Sequence, residues 1–259
     1  MHGVSIRSQH SESIGKRVET VTLRTLAVVQ SHYIPWAGFF DLIGGCSDIV
    51  ILGSVSYSKN SYFNRNRLIG PNGIFWLTIP VRTDGRFGQP ISDVEISDDR
   101  WAKKHMRSVE QSLGHARYFD QVWESWGDAY ANCCNLQKLS DVNHLWLELV
   151  MTQLALTSKV HRDSSISIPE TNKNSRLIGI CRHFGAEIYR TGPRGLDYLD
   201  VAQFKAAGIT VETIEYANYY PYRATQNGDT DPVSVLENLA YMGTRAPEIL
   251  RHSYRKVKV

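Results

Sequence analysis

Long apolar runs are missing from this chain. No stretch approaches the roughly 20 apolar residues that a membrane-spanning helix needs, so no membrane span is expected. Cysteine is scarce, with four in 259 residues. Cys46, Cys133, Cys134 and Cys181 form no Cys-x-x-Cys pair, and adjacent Cys133 and Cys134 are poorly placed for a disulfide. They read as buried free thiols, and without clustered Cys and His at ligand spacing no metal site is expected. Excess charge of one sign is also lacking. A net charge of +3 falls far short of the basic excess of nucleic-acid binders, and none of their modules is recognisable, so no nucleic-acid partner is expected. There is no Walker loop, no Gly-x-Gly-x-x-Gly, no Ser-His-Asp order and no carboxylate pair. Met1 to Val21 lack the apolar centre of a signal peptide, which makes the cytoplasm the expected location.

What is present is concentrated between Leu26 and Val81. The run Leu26-Ala27-Val28-Val29 ends in a polar, aromatic turn, Gln30-Ser31-His32-Tyr33-Ile34-Pro35-Trp36. A helix is predicted from Ala37 to Gly44, and a second apolar run, Asp48 to Leu52, follows it. Strand, loop, helix, strand is a βαβ unit, and such units bind ligands at the carboxyl ends of their strands. A loop entering a helix N-terminus there favours anions. Asn64, Arg65, Asn66 and Arg67 offer two amides and two forked cations to a phosphate or carboxylate; a solvated face with turn-capping asparagines explains them as well.

Further on, strands are predicted at Trp76–Val81, Ile91–Ile96, Ala186–Arg190 and Ile209–Ile214. Helices are predicted near 100–113, from Ser140 to Leu154, at Asn174–Phe184 and at Tyr198–Ala207. Helices alternating with β-branched runs indicate an α/β fold with a parallel or mixed sheet covered by helices on both faces. The expected organisation is a flexible extension over 1–21, a single α/β domain over 22–245 and a basic tail over 246–259. Within the domain an irregular helical insertion is expected around 114–157.

Several of these segments resemble the WbqC-like proteins, whose pattern Gln-Pro-x-Tyr-x-Pro-Trp-x-Gly-Tyr-Phe is matched by Gln30, Tyr33, Pro35, Trp36, Gly38, Phe39 and Phe40. Asn64 to Arg67 with Trp76 to Val81, Trp101 with His105, Tyr189 with Gly192, Tyr198 and Leu199, and Val233 to Gly243 continue the resemblance. It implies transfer of an aminoacyl group, such as glycyl, or an acyl group onto an amine or hydroxyl of a sugar-like acceptor in polysaccharide or specialised-metabolite biosynthesis. The partners implied are small molecules, including nucleotide sugars or carrier-bound intermediates. His105 is the expected base. Gln30 and Tyr33 would orient the acceptor, Asn64 and Arg65 would hold an anionic donor, and His32, Trp36, Asn66 and Arg67 are further expected substrate contacts. Gly192, Tyr198, Tyr220 and Tyr222 complete the expected binding set. The order of elements also resembles nucleotidyltransferase-like folds, including pantothenate synthetase, which makes an ATP-dependent amide ligase the enzymatic alternative. In that alignment, however, Trp36 and Phe39 replace the two phosphate-binding histidines. A non-catalytic binding protein for a biosynthetic intermediate is the other alternative. The acidic residue expected at the end of the second strand is replaced by Gly53-Ser54.

Overall fold

The computed structural model describes residues 23–168, 172–216, 232–250 and 254–257. Two β-branched apolar runs form its centre. β1 (Thr25–Gln30) and β2 (Asp48–Leu52) lie parallel and are joined by α1 (Ala37–Ile43), the βαβ unit read from the sequence. Successive side chains of a strand point to opposite faces. Accordingly Ala27, Val29, Ile49 and Ile51 pack with α1 and the helices after it, whereas Leu26 and Val50 pack with helices on the opposite side. Apolar residues on both faces are what a covered parallel strand requires.

After β2 the chain forms a separate antiparallel hairpin of β3 (Arg65–Gly70) and β4 (Gly73–Thr78). Three helices follow: α2 (Trp101–Leu113), α3 (Phe119–Cys133) and α4 (Leu139–Gln153). They share one core through Trp101, Val109, Trp126, Tyr130, Val142 and Trp146. β5 (Lys159–Arg162) pairs with β2, and α5 (Lys173–His183) leads to β6 (Ile188–Thr191) beside β1. The short helices α6 (Pro193–Leu196) and α7 (Val201–Ala206) connect to β7 (Thr210–Ile214), followed by α8 (Val235–Met242) and β8 (Tyr254–Lys256). The sheet order is β5-β2-β1-β6-β7-β8, with β8 alone antiparallel. The fold is therefore α/β, with a mixed, mostly parallel sheet flanked by helices. Counting only the parallel strands, the order is 3-2-1-4-5, that of doubly wound sheets. Winding reverses between β1 and β6.

The structure departs from the sequence reading in places. Ile91–Ile96 is not a strand: Ile91–Asp93 forms a 3-10 turn, because Pro90 accepts from the Asp93 amide while Ile91 and Ser92 donate to Val55 and Gly53. The stretch expected to be irregular holds α3, a regular helix that buries Trp126 and Tyr130. The region expected as a basic tail supplies β8, where Arg255 lies 3.1 Å from Glu215. The expected flexible extension, 1–21, lies outside the described residues. Cys46, Cys133 and Cys181 are buried free thiols, but Cys134 is exposed. Among the described residues no helix is long and apolar enough to cross a membrane, and no group of three or more His, Cys, Asp or Glu could hold a metal.

Candidate functional site

The chain leaving β1 turns sharply through Ser31, His32, Tyr33 and Ile34. Ile34 has φ +40°, a left-handed backbone that costs a β-branched residue on the order of 1–3 kcal/mol. Distant side chains hold it there. Asn66 Nδ2 donates to the carbonyls of Tyr33 (3.1 Å) and Ile34 (2.7 Å), and Ser234 Oγ donates to the Ile34 carbonyl (2.9 Å). Asn143 Nδ2 donates to Ser31 Oγ (3.0 Å) and to the Phe63 carbonyl (2.9 Å).

Beside this loop lies a cavity of about 210 Å³. Gln30, Ile51 and Arg162 bring the carboxyl ends of β1, β2 and β5 to it, and Ser140, Asn143 and His144 bring the first turns of α4. Two imidazoles line it. His32 packs against Phe39 and Phe63, each ring centroid 5.7 Å away, and no described residue hydrogen-bonds to it. Burial lowers its pKa to about 4, so it is neutral at pH 7. His144 Nε2 lies 3.3 Å from Glu148 Oε1, one helical turn on. Burial outweighs the Glu148 carboxylate and lowers the His144 pKa too, which leaves a neutral imidazole beside a carboxylate.

The charged groups at the cavity are matched. Arg162 Nη1 donates to Asp141 Oδ1 at 2.6 Å. Lys138 Nζ donates to the Asp93 carbonyl and lies 3.6 Å from Glu95. Asp163 accepts from the Gly53 and Ser54 amides, the Ser54 hydroxyl and Arg176. The carboxylate sought at the end of β2 is thus supplied from the end of β5, across the sheet.

Of the residues expected at a site, Gln30 and His32 line this cavity. His105 does not. It is 6% exposed, its Nδ1 lies 2.9 Å from the Tyr33 hydroxyl and its Nε2 3.2 Å from the Thr78 carbonyl, and burial lowers its pKa to about 4. The geometry makes His105 a tie between α2, β4 and Tyr33 rather than a base facing substrate. Tyr33 is buried with it, its hydroxyl also 3.3 Å from that of Tyr130. Asn64 is equally occupied, accepting from Tyr57 and donating to the Ile79 carbonyl, and Asn66 clamps the loop as described. Both amides hold backbone or side chain. Arg65 and Arg67 lie over Trp76 on the hairpin, at 4.0 and 5.4 Å from the ring centre, outside the cavity. Trp36 packs against Tyr216 at 5.0 Å, and a Cβ on Gly38 would come within 2.3 Å of its indole. Gly192, at the end of β6, faces the Tyr216 hydroxyl, so these residues fill the switch between β1 and β6. Tyr198 is 65% exposed beneath the Lys173 ammonium. Tyr220 and Tyr222 lie outside the described residues.

Sequence reasoning missed Asn143, His144, Arg162 and Asp163. Asn143 carried one signal, a polar residue inside the apolar stripe of α4. Arg162 and Asp163 carried none, since Lys-Val-His-Arg does not read as a strand.

The family model of the WbqC-like proteins matches residues 30–249. This chain belongs to the WbqC-like family. The match begins at Gln30, the first residue of the cavity loop, and takes in all the cavity-lining residues. An uncharacterized protein of Mycobacterium tuberculosis is 31% identical over 230 residues, covering 89% of this chain and 99% of that protein. No solved structure matches, so the expected likeness to nucleotidyltransferase-like folds has no structural neighbour behind it.

Proposed function

We propose that this WbqC-like protein transfers an acyl or aminoacyl group, such as glycyl, onto an amine or hydroxyl of a sugar-like acceptor bound in the cavity. The observation that carries this reading is the His144–Glu148 pair at a cavity of single-ring size. A cavity of about 210 Å³ slightly exceeds the roughly 150 Å³ that admits benzene, and is smaller than the roughly 300–1,000 Å³ of drug-sized sites. It suits one substituted ring, not a whole nucleotide.

In this mechanism the Glu148 carboxylate beside the ring would stabilise the imidazolium that forms, and the neutral His144 imidazole takes the proton of the acceptor N–H or O–H as the acceptor's lone pair attacks the donor's carbonyl carbon. The tetrahedral adduct collapses with cleavage of the bond to the donor's leaving group, which takes the proton back from the imidazolium. In this reading the amide end of α4, at Ser140 in the cavity wall, would supply the positive potential on which the oxyanion develops. The ATP-dependent ligase draws less support, because the Trp36 indole covers Gly38 where that mechanism needs a phosphate cradle.

The test is a thermal-stability panel of amino sugars, nucleotide sugars, acyl donors and ATP, followed by mass spectrometry of any acceptor–donor pair that shifts melting. Binding to the folded state raises the melting temperature. Product formation that falls at least about 100-fold in His144→Gln supports transfer. A shift with ATP alone favours the ligase, and binding with no product favours a carrier of an intermediate.

A further inference from the structure

We infer that the cavity selects an uncharged, hydroxyl-bearing ring, and that His32 is the side chain that recognises it. The inference rests on the cavity being the acceptor site proposed above, and adds to it the ligand's charge and its main polar contact.

Three observations carry it. First, the His32 imidazole packs against both Phe39 and Phe63, yet it has no hydrogen bond to any described residue and it lines the cavity. A neutral imidazole offers one donor and one acceptor. A hydroxyl group has both complements, whereas a carboxylate or phosphate has only acceptors and would leave the imidazole's own acceptor unmet. Second, the four ionised residues of the lining, Lys138, Asp141, Arg162 and Asp163, cancel as two positive and two negative charges. Each also has a protein partner: Arg162 with Asp141, Lys138 with Glu95, Asp163 with Arg176. An anionic ligand would have to break one of these pairs to find a cation. Third, the apolar part of the wall is Phe39, Ile51 and Leu147, which suits the C–H faces of a saturated ring. Four serines, Ser31, Ser92, Ser140 and Ser164, put hydroxyls around the rest.

Protonation of His32 would replace its acceptor with a second donor. Ligand binding is therefore expected to weaken in acid together with the neutral form of this ring.

The experiment is calorimetry of the full chain at pH 7.5 with methyl hexosides and N-acetylglucosamine as neutral probes, and with glucuronate and glucose 6-phosphate as anionic ones. At least one neutral probe is expected to bind about tenfold or more tighter than either anion. His32→Phe keeps a ring against Phe39 and Phe63 and breaks no protein hydrogen bond, so its melting temperature should match the parent while affinity falls about tenfold. His32→Asn, which retains one donor and one acceptor, should recover part of that loss. Tighter binding of an anion, no binding of any neutral probe, or parental affinity in His32→Phe would overturn the inference. The transfer reading fails separately: neutral probes that bind through His32 but accept no group in the presence of any donor leave this inference standing and remove the transferase. An anionic acceptor that is converted does the reverse.

Discussion

Asn66 shows how a polar residue that looks like a ligand contact can be spent entirely on the chain itself. Its Nδ2 serves two buried carbonyls and its Oδ1 accepts from the Arg67 amide at 2.8 Å. Asn66→Ala would leave the carbonyls of Tyr33 and Ile34 short of a donor beside a left-handed isoleucine. The expected loss is about 2–4 kcal/mol, since each buried group left unpaired costs about 1–3 kcal/mol. Urea denaturation checks this, with a lowered midpoint and an unchanged slope. The same accounting explains why His105 was attractive in the sequence and plays a different part in the fold. The Trp101–His105 spacing marks a stripe of α2, but the sequence does not say whether that stripe meets substrate or core. Tyr33 and the Thr78 carbonyl meet it, and they lie 72 and 27 residues away.

At the scale of elements, α1 depends on one missing side chain. Trp36 folds back over Gly38, and a methyl group there would overlap the indole at 2.3 Å. Gly38→Ala is expected to drive Trp36 off Tyr216 and to cost about 1–3 kcal/mol through overpacking. Tryptophan emission should shift to the red, and the melting temperature should fall. A variant with parental emission and stability would mean that the indole has somewhere else to pack. The elements themselves were largely legible. β1, α1 and β2 announce themselves through β-branched runs and a Pro-Trp helix entry, and α4 and α5 through their apolar stripes. β5 was not legible, because a short edge strand of Lys, Val, His and Arg has no apolar pattern to show. That one omission hid Arg162 and Asp163 and made the end of β2 look as though it lacked a carboxylate. The candidate site was therefore half visible. Its loop lies in one contiguous motif, whereas its opposite wall is brought in by pairing that only the folded sheet reveals.

For the whole molecule, buried histidines set the acid limit. His32 and His105 remain neutral in the fold down to about pH 4, but in the unfolded chain they take up protons near 6.5. Between those values the unfolded state binds more protons, so stability rises with pH and is lost as pH falls from 6.5 towards 4. His144 acts in the same direction. Asp48, whose pKa Arg24 and His161 lower against the opposing effect of burial, adds a further loss only below the ordinary carboxylate range. The urea midpoint is expected to be flat from pH 8 to 7 and to decline from 6.5 to 4.5. His32→Phe should have a shallower decline. An equal decline in parent and variant would show that His32 is protonated in the native state.

The clamp on the Ser31–Ile34 loop also has a history in time. Its three anchors come from residues 33, 112 and 200 positions away along the chain. Contacts of such separation form only after long loops have closed, which places them late in folding. The β1–α1–β2 unit can collapse early from local pairing, but the backbone that shapes the cavity cannot settle until Ser234 arrives. A chain still being synthesised therefore carries no finished Ser31–Ile34 loop until Ser234 has been made.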